Sequence, residues 1–320
     1  MKYILAIDIG YSDTKAVEMN ENGDILQIFK VPTMIGVTKK NEFINDNRII
    51  EFKGHAYYAG ADAVHLPSEN HISIVEYKNL EYYAPVFLYY ILKQLKNKPD
   101  VIVTGLSKAQ IQNSGYFKEA LQEFVVNNET FKFDTIYVLP QGAGSKLTVD
   151  KYGANFPQEQ TEFLGATTYI GADLGGQTID MYQVTDGKTS PNLFEGIEKE
   201  GVMKIAIEVA KKVNELHGRQ ISLQEAKEIL NTGIYKLRNV EHDFKDYVAE
   251  IKKDYLKNLL DLIESKYGKI LDKCDFIFLS GGASTFFKST DDGFIKVPKT
   301  KHEFYNAIGF GLFGLTKIKV

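Results

Sequence analysis

The chain has 320 residues, of which 44% are hydrophobic and 25% charged, with a formal net charge of −4 and one cysteine. That length suits two domains with cores of their own, and the composition excludes bulk disorder and an intrachain disulfide framework. The mild acidity argues against a broad electrostatic grip on nucleic acid, so no direct nucleic-acid partner is expected. No signal peptide is recognisable and no apolar run approaches ~18 residues, which together with the lone Cys274 leads to the expectation of a cytoplasmic protein with no membrane partner.

In chain order, Tyr3 to Ile9 and Thr14 to Met19 read as a hairpin, and a turn at Asn22-Gly23-Asp24 leads to a strand from Ile25 to Val31. Residues from about 32 to 79 are polar and broken, strand-like in pieces such as Arg48 to Phe52 and His55 to Ala59, as expected of an inserted subdomain. A tyrosine-rich helix from Glu81 to Leu95, a buried strand from Asp100 to Thr104, a helix from Lys108 to Val126 and a strand from Phe133 to Leu139 follow. The alternation predicts an α/β fold. The stretch 150–165 is a polar connector, which puts one domain at 1–165 and a second at 166–320.

The second part repeats the plan. Strands are expected at Thr168 to Ala172, Thr178 to Val184 and Asn192 to Glu195, and helices at Gly201 to Leu216, Leu223 to Leu230 and Glu241 to Tyr267. An insertion at about 185–239 matches the one in the first half. A buried strand from Cys274 to Leu279 runs into Ser280-Gly281-Gly282-Ala283-Ser284, and a helix from Glu303 to Lys317 is expected to cross the helix after Gln141.

Two phrases stand at equivalent places. Asp8-Ile9-Gly10-Tyr11-Ser12-Asp13-Thr14-Lys15 and Asp173-Leu174-Gly175-Gly176-Gln177-Thr178-Ile179-Asp180 each end a buried strand in a carboxylate and a glycine turn. Glycine lets backbone N–H groups approach an anion, and the carboxylate stands where a hydrated cation on that anion would sit. Lys15 can turn back over Gly10 and neutralise phosphate charge, although a surface lysine on a hairpin is the plainer alternative. Asp8 and Asp173 facing each other call for a divalent cation, Mg²⁺ being usual beside phosphates. Nearly equal lengths of chain separate Asp8 from Gln141-Gly142-Ala143-Gly144 and Asp173 from Gly309-Phe310-Gly311. The arrangement predicts a duplicated domain with a phosphate clamp between its halves.

Gly281, Gly282 and Ala283 could admit a purine and ribose, or simply form a strand-to-helix turn. Gly309, Gly311 and Gly314 fit the G-x-G-x-x-G dinucleotide spacing, but no strand precedes them, so close helix packing is the better reading. The histidines lack zinc spacing, and the Lys252-Lys253 and 299–301 clusters read as solvated faces. A packed helix is preferred over a membrane anchor for the apolar tail from Phe310.

The order of phosphate loop, connecting helix, second phosphate loop, adenosine loop and connecting helix, from Asp8 to Gly314, resembles the actin, sugar-kinase and heat-shock-chaperone ATPase superfamily. The Asp8 phrase, the compact length and Leu139-Pro140-Gln141-Gly142 resemble its prokaryotic actin-like branch, the ParM and StbA plasmid-segregation proteins and their archaeal relatives. The resemblance implies duplicated actin-like, ribonuclease H-like domains with ATP or ADP and Mg²⁺ in the cleft. It assigns Asp8 to the Mg²⁺ shell and Gly10, Tyr11, Ser12 and Lys15 to the β- and γ-phosphates. Asp173 would orient water, Gly175, Gly176 and Gln177 would line the other side, and Gly281 and Gly282, with Ala283 beside them, would meet adenosine. Tyr11 replaces the usual small hydroxyl residue, so its contact would be through backbone N–H.

Gln141 separates the branches, because an amide cannot take a proton from an acceptor hydroxyl but can aim a water. The expected activity is ATP hydrolysis coupled to head-to-tail assembly, with DNA moved through a separate adaptor. A small-molecule kinase and a non-polymerising regulatory ATPase are the alternatives.

Overall fold

The computed structural model describes residues 1–39, 46–159 and 167–318. The expected domain boundary at 165/166 lies outside the described residues. The first half opens with β1 (Tyr3–Ile9), β2 (Asp13–Asn20) and β3 (Ile25–Pro32), followed by β4 (Ile35–Thr38), β5 (Ile50–Phe52), β6 (His55–Ala59) and β7 (His71–Ile72). The last four form a separate sheet in the order β5-β6-β4-β7. Then come α1 (Tyr77–Leu92), β8 (Val101–Leu106), α2 (Ser114–Gln122), β9 (Glu123–Val126), β10 (Glu129–Lys132), β11 (Ile136–Pro140) and α3 (Ala143–Tyr152).

The second half runs β12 (Tyr169–Leu174), β13 (Thr178–Val184), β14 (Phe194–Glu198), α4 (Met203–His217), α5 (Leu223–Thr232), β15 (Ile234–Leu237), β16 (Val240–Asp243), α6 (Lys245–Leu271), β17 (Phe276–Ser280), β18 (Ile295–Lys296) and α7 (Tyr305–Ile318). The principal sheets have one topology, β11-β8-β1-β2-β3 and β14-β13-β12-β17-β18. In each, the first strand pairs antiparallel with its hairpin partner and parallel with the strand returning from the helices. The fold is a duplicated α/β unit.

Alternation along the central strands explains why they read as continuous apolar runs. Leu5 and Ile7 enter the first half's outer core under α1 and α2, whereas Ile4 and Ala6 enter a core shared between the sheets. Ile170 and Ala172 enter the second outer core, and Tyr169 the shared one. Both faces of each sheet are therefore covered, the usual condition for parallel strands.

Two expected helices are cut short by hairpins. The predicted helix from Lys108 to Val126 is a 3₁₀ turn over Lys108–Asn113, then α2, then β9 paired with β10. Asn127 and Asn128 both take positive φ, the two-residue turn that matches strand twist, and Phe124 and Val126 bury alternately. The helix predicted from Glu241 likewise begins at Lys245, because Arg238 and Asn239 take positive φ and close the β15–β16 hairpin. The tyrosine-rich helix and β14 keep their type with shifted ends, and the last helix opens with a 3₁₀ turn at His302–Phe304.

Helices α3 and α7 cross between the sheets. A Cβ at Gly309 would overlap the carbonyl oxygen of Gly144, so the two backbones touch. Gly311 lies against Met19 and Gly314 against Ile4, which seats α7 on the first half's sheet and absorbs the G-x-G-x-x-G pattern into packing. Among the described residues no helix is long and apolar enough to cross a membrane. Gly309→Ala is expected to lower stability by about 3 kcal/mol or more or to prevent folding, as overpacking of a close crossing does. Gly115→Ala, with open space around its position in α2, should change it by less than about 1 kcal/mol. Urea unfolding of both variants checks the pair.

Candidate functional site

The two central strands end at one cavity. Register places Asp8 opposite Lys15 and Asp173 opposite Asp180, so each pair projects from the same face of its sheet. Gln141, just beyond β11, donates from Nε2 to Asp8 Oδ1 at 2.6 Å. Asn306, in the first turn of α7, donates from Nδ2 to Asp173 Oδ2 at 2.9 Å. The same interval, 133 residues, separates each aspartate from its amide.

Asp8, Gly10, Tyr11, Ser12, Lys15, Gln141, Asp173, Gly175, Gly176, Gly281 and Gly282 all line this cavity, so the structure brings most of the expected residues together. Two do not line it. The Gln177 amide reaches out to the Val75 carbonyl at 3.1 Å, and Ala283 is fully buried in the second outer core. Tyr11 lines it without offering its hydroxyl, which accepts from Gln110 Nε2 at 2.6 Å and is pushed up to about 12 by burial. Gly281, at φ +90°, lies so close that a Cβ would come 2.7 Å from Asp173 Oδ1.

Electrostatically the cavity is crowded with carboxylates. Burial raises Asp8, with Lys15 and the Gln141 hydrogen bond pulling the other way. Asp173 is pushed up to about 7 by burial and by the charges of Asp8 and Asp180. Burial alone would lower Lys15, but Asp8, Asp13, Asp173 and Glu303 outweigh it and hold the ammonium charged. One cation thus faces several acids, a deficit that a divalent ion would relieve.

The site fits a phosphate with a hydrated metal. The Ser12 hydroxyl is buried without a partner and lies against Gly176, leaving a donor between the two glycine turns. Among the described residues no group of three or more His, Cys, Asp or Glu could hold a metal alone. A Mg²⁺ held by one or two carboxylates, water and phosphate oxygens would take Asp8 and Asp173 as the protein's share.

The halves are closed on each other. The cavity has a volume of about 30 Å³, whereas sites for drug-sized ligands are typically ~300–1,000 Å³, so a nucleotide requires them to part. Asp180, which sequence reasoning passed over, is buried at the seam, accepting from Ser107 Oγ at 2.9 Å, Lys108 N at 2.6 Å and Thr178 Oγ1 at 3.2 Å. Gln110 also donates to Glu198 at 2.9 Å, and Lys227 pairs with Asp13 at 3.4 Å. The signal for Asp180 was its offset from Asp173, which repeats that of Lys15 from Asp8.

Asp180 makes the seam sensitive to pH. Burial raises its carboxyl from an ordinary 3.8 to about 7, against the three hydrogen bonds that lower it. The native protein therefore binds this proton more tightly than the unfolded chain, so the group's cost is absent below about 4, grows as pH rises and is complete above about 7. In nucleotide-free protein, Asp180→Asn keeps an acceptor for Ser107 and Lys108 and is expected to be more stable than the parent at pH 8 by on the order of 2 kcal/mol, the gap closing near pH 4. Calorimetry at both pH values tests this, and an equal gap at the two would rule out the buried charge as its cause.

Comparison with known proteins agrees with this geometry. Residues 6–144 match the family model for the N-terminal domain of actin-like proteins, and residues 172–290 that for the C-terminal domain of the archaeal MreB-like actin homologue. Among solved structures, a 15-stranded ParM filament from Clostridium botulinum is 19% identical, covers 98% of this chain and 99% of its own, and superposes with a TM-score of 0.75. An archaeal actin homolog in complex with ADP is 17% identical over 97% and 98% of the two chains, with a TM-score of 0.74. Bacillus thuringiensis ParM with ATP is 17% identical over 100% of both, with a TM-score of 0.65. No protein of curated function matches by sequence. At these identities the solved structures establish the fold, and the two family models assign both halves: the chain belongs to the actin-like proteins.

Proposed function

We propose that the protein is a Mg²⁺-dependent ATPase that assembles head to tail into filaments when it binds ATP, and that it positions DNA in the cytoplasm through a separate DNA-binding adaptor. The observation that carries the reading is the Gln141 amide, held at Asp8 in the cavity between the halves. An amide there can aim a water but cannot take a proton from an acceptor hydroxyl, which favours hydrolysis over transfer to a small molecule.

In this reading residues 1–165 and 166–320 are the moving units. Lys15, the Ser12 hydroxyl and the backbone N–H groups from Gly10 to Ser12 hold the β- and γ-phosphates, and the Gly175-Gly176 turn faces them. Gly281 and Gly282 leave room for adenosine, and Tyr11 contributes only its backbone. Gln141 and Asp173 orient the attacking water between them. When bound beside Asp8, Mg²⁺ supplies the positive charge that the phosphates and the aspartates need. Related actin-like structures hold ADP and ATP, which supports the nucleotide assignment.

Opening and closing of the cleft would move residues 32–79 relative to residues 185–239. A head-to-tail contact spanning both units would then depend on the nucleotide, and the filament built by the C. botulinum ParM supports this. Asp8→Ala is expected to weaken Mg-nucleotide binding, whereas Asp173→Ala and Gln141→Ala should spare binding and slow phosphate release by about 10- to 10³-fold. Wild-type turnover in all three would remove the assignment, and a hydroxyl compound phosphorylated in step with ATP loss would replace it with a kinase.

Assembly is tested separately. Sedimentation is expected with ATP or a non-hydrolysable analogue but not ADP, above a critical concentration. A particle that stays monomeric by light scattering with every nucleotide at tens of micromolar would leave a regulatory ATPase.

A further inference from the structure

The cavity-lining residues include Gln141 but not its counterpart in the duplication, Asn306, which is buried behind Asp173 and is 2% exposed. Both polar atoms of the Asn306 amide are engaged. Its Oδ1 accepts from Gly142 N and Ser145 N, each at 3.0 Å, while its Nδ2 donates to Asp173 Oδ2 at 2.9 Å. Two N–H donors on one side and a carboxylate on the other fix which way the amide points. Gly142 directly follows Gln141, so one side chain ties the start of α3 to the acid on β12.

We propose that Asn306 is a positioning residue that holds Asp173 and Gln141 in register, so that both address the same water. The inference rests on the hydrolytic reading of the site. It follows from the shape of the network: Asp173 is otherwise a buried carboxylate at a strand end, and Gln141 hangs from a glycine with positive φ. Strand pairing holds the Asp173 backbone and a hydrogen bond to the Leu106 carbonyl holds that of Gln141, but these contacts lie in different halves and do not set the two residues relative to each other. The Asn306 amide gives both one anchor, and its place on α7 joins that anchor to the helix crossing at Gly144 and Gly309.

A capping role alone would need only the acceptor oxygen, which separates the two possibilities. Asn306→Asp keeps that acceptor for Gly142 and Ser145 but turns an oxygen instead of a donor toward Asp173. The expected result is nucleotide affinity within threefold of the parent and single-turnover hydrolysis reduced 10- to 100-fold, whereas a cap would leave hydrolysis unchanged. The exchange of roles in the double variant Asn306→Asp with Asp173→Asn restores a donor and an acceptor to the pair. In nucleotide-free protein it should therefore recover most of the unfolding midpoint lost in Asn306→Asp.

Parental hydrolysis in Asn306→Asp, or additive midpoints in the double variant, would overturn the proposal. If the parent hydrolyses no nucleotide while the midpoints are non-additive, the contact stands and the positioning role falls together with the hydrolytic reading. Should Asn306→Asp be too unstable to purify, the comparison of the double variant with Asp173→Asn decides the contact: equal stability supports it, and a loss as large as that of Asn306→Ala refutes it.

Discussion

Buried carboxylates facing one another across a closed seam are the constraint on which this structure depends. Asp8, Asp173 and Asp180 are each less than 8% exposed, and the ammonium that lines their cavity is Lys15. An ionised group in that position is costly unless it is paired or hydrogen-bonded. Each acid has donors that the chain brings from elsewhere: Gln141 for Asp8, Asn306 for Asp173, and Ser107 with Lys108 for Asp180. These donors stand just after β8 and β11 and at the start of α7, so the ends of elements far apart in sequence must converge before the acids can be buried.

Duplication explains the plan, and the departures from it explain the chemistry. At the register position where the first half has Lys15, the second has Asp180. At the position where the first half presents Gln141 to the cavity, the second buries Asn306. The first half thus contributes a cation and a cavity-lining amide, and the second an extra acid and a buried amide. A polyphosphate bound between them would find its counter-charge on the Lys15 side and, through a metal, on the acids. An exactly repeated pair of halves would lack that polarity.

The parts legible in sequence were those governed by local rules. Strands buried on both faces announce themselves as apolar runs, and a carboxylate before a glycine turn marks the site, which is why Asp8 and Asp173 could be named. The β9–β10 hairpin was missed because Asn127-Asn128 sits at the end of a helical pattern and positive φ is not visible in residue order. Asn306 was missed because the second half was aligned on small residues, which placed Gly309 opposite Gln141. Aligning on the amide gives Asn306 at the same interval from its aspartate. The contacts of Gln110 with Glu198 and of Ser107 with Asp180 join different halves, and no periodicity encodes them.

The two kinds of contact between the halves also decide how they can move. At the seam the contacts are mostly polar, with Met203 of α4 the buried apolar residue that enters the first half's outer core, and each hydrogen bond exchanged for water costs only ~0.5–1.5 kcal/mol net, more where a charge takes part. Between the sheets the contacts are apolar and close: Phe278, Tyr305 and Phe310 are buried in a shared core, and Gly144 meets Gly309 backbone to backbone. Sliding that crossing would open voids or drive backbone into backbone, since such interiors do not deform continuously. Opening the seam withdraws the Met203 side chain but drives no backbone into backbone. Rotation about the α3–α7 crossing is therefore the motion of least cost, and it parts the halves at the strand ends, where the aspartates are.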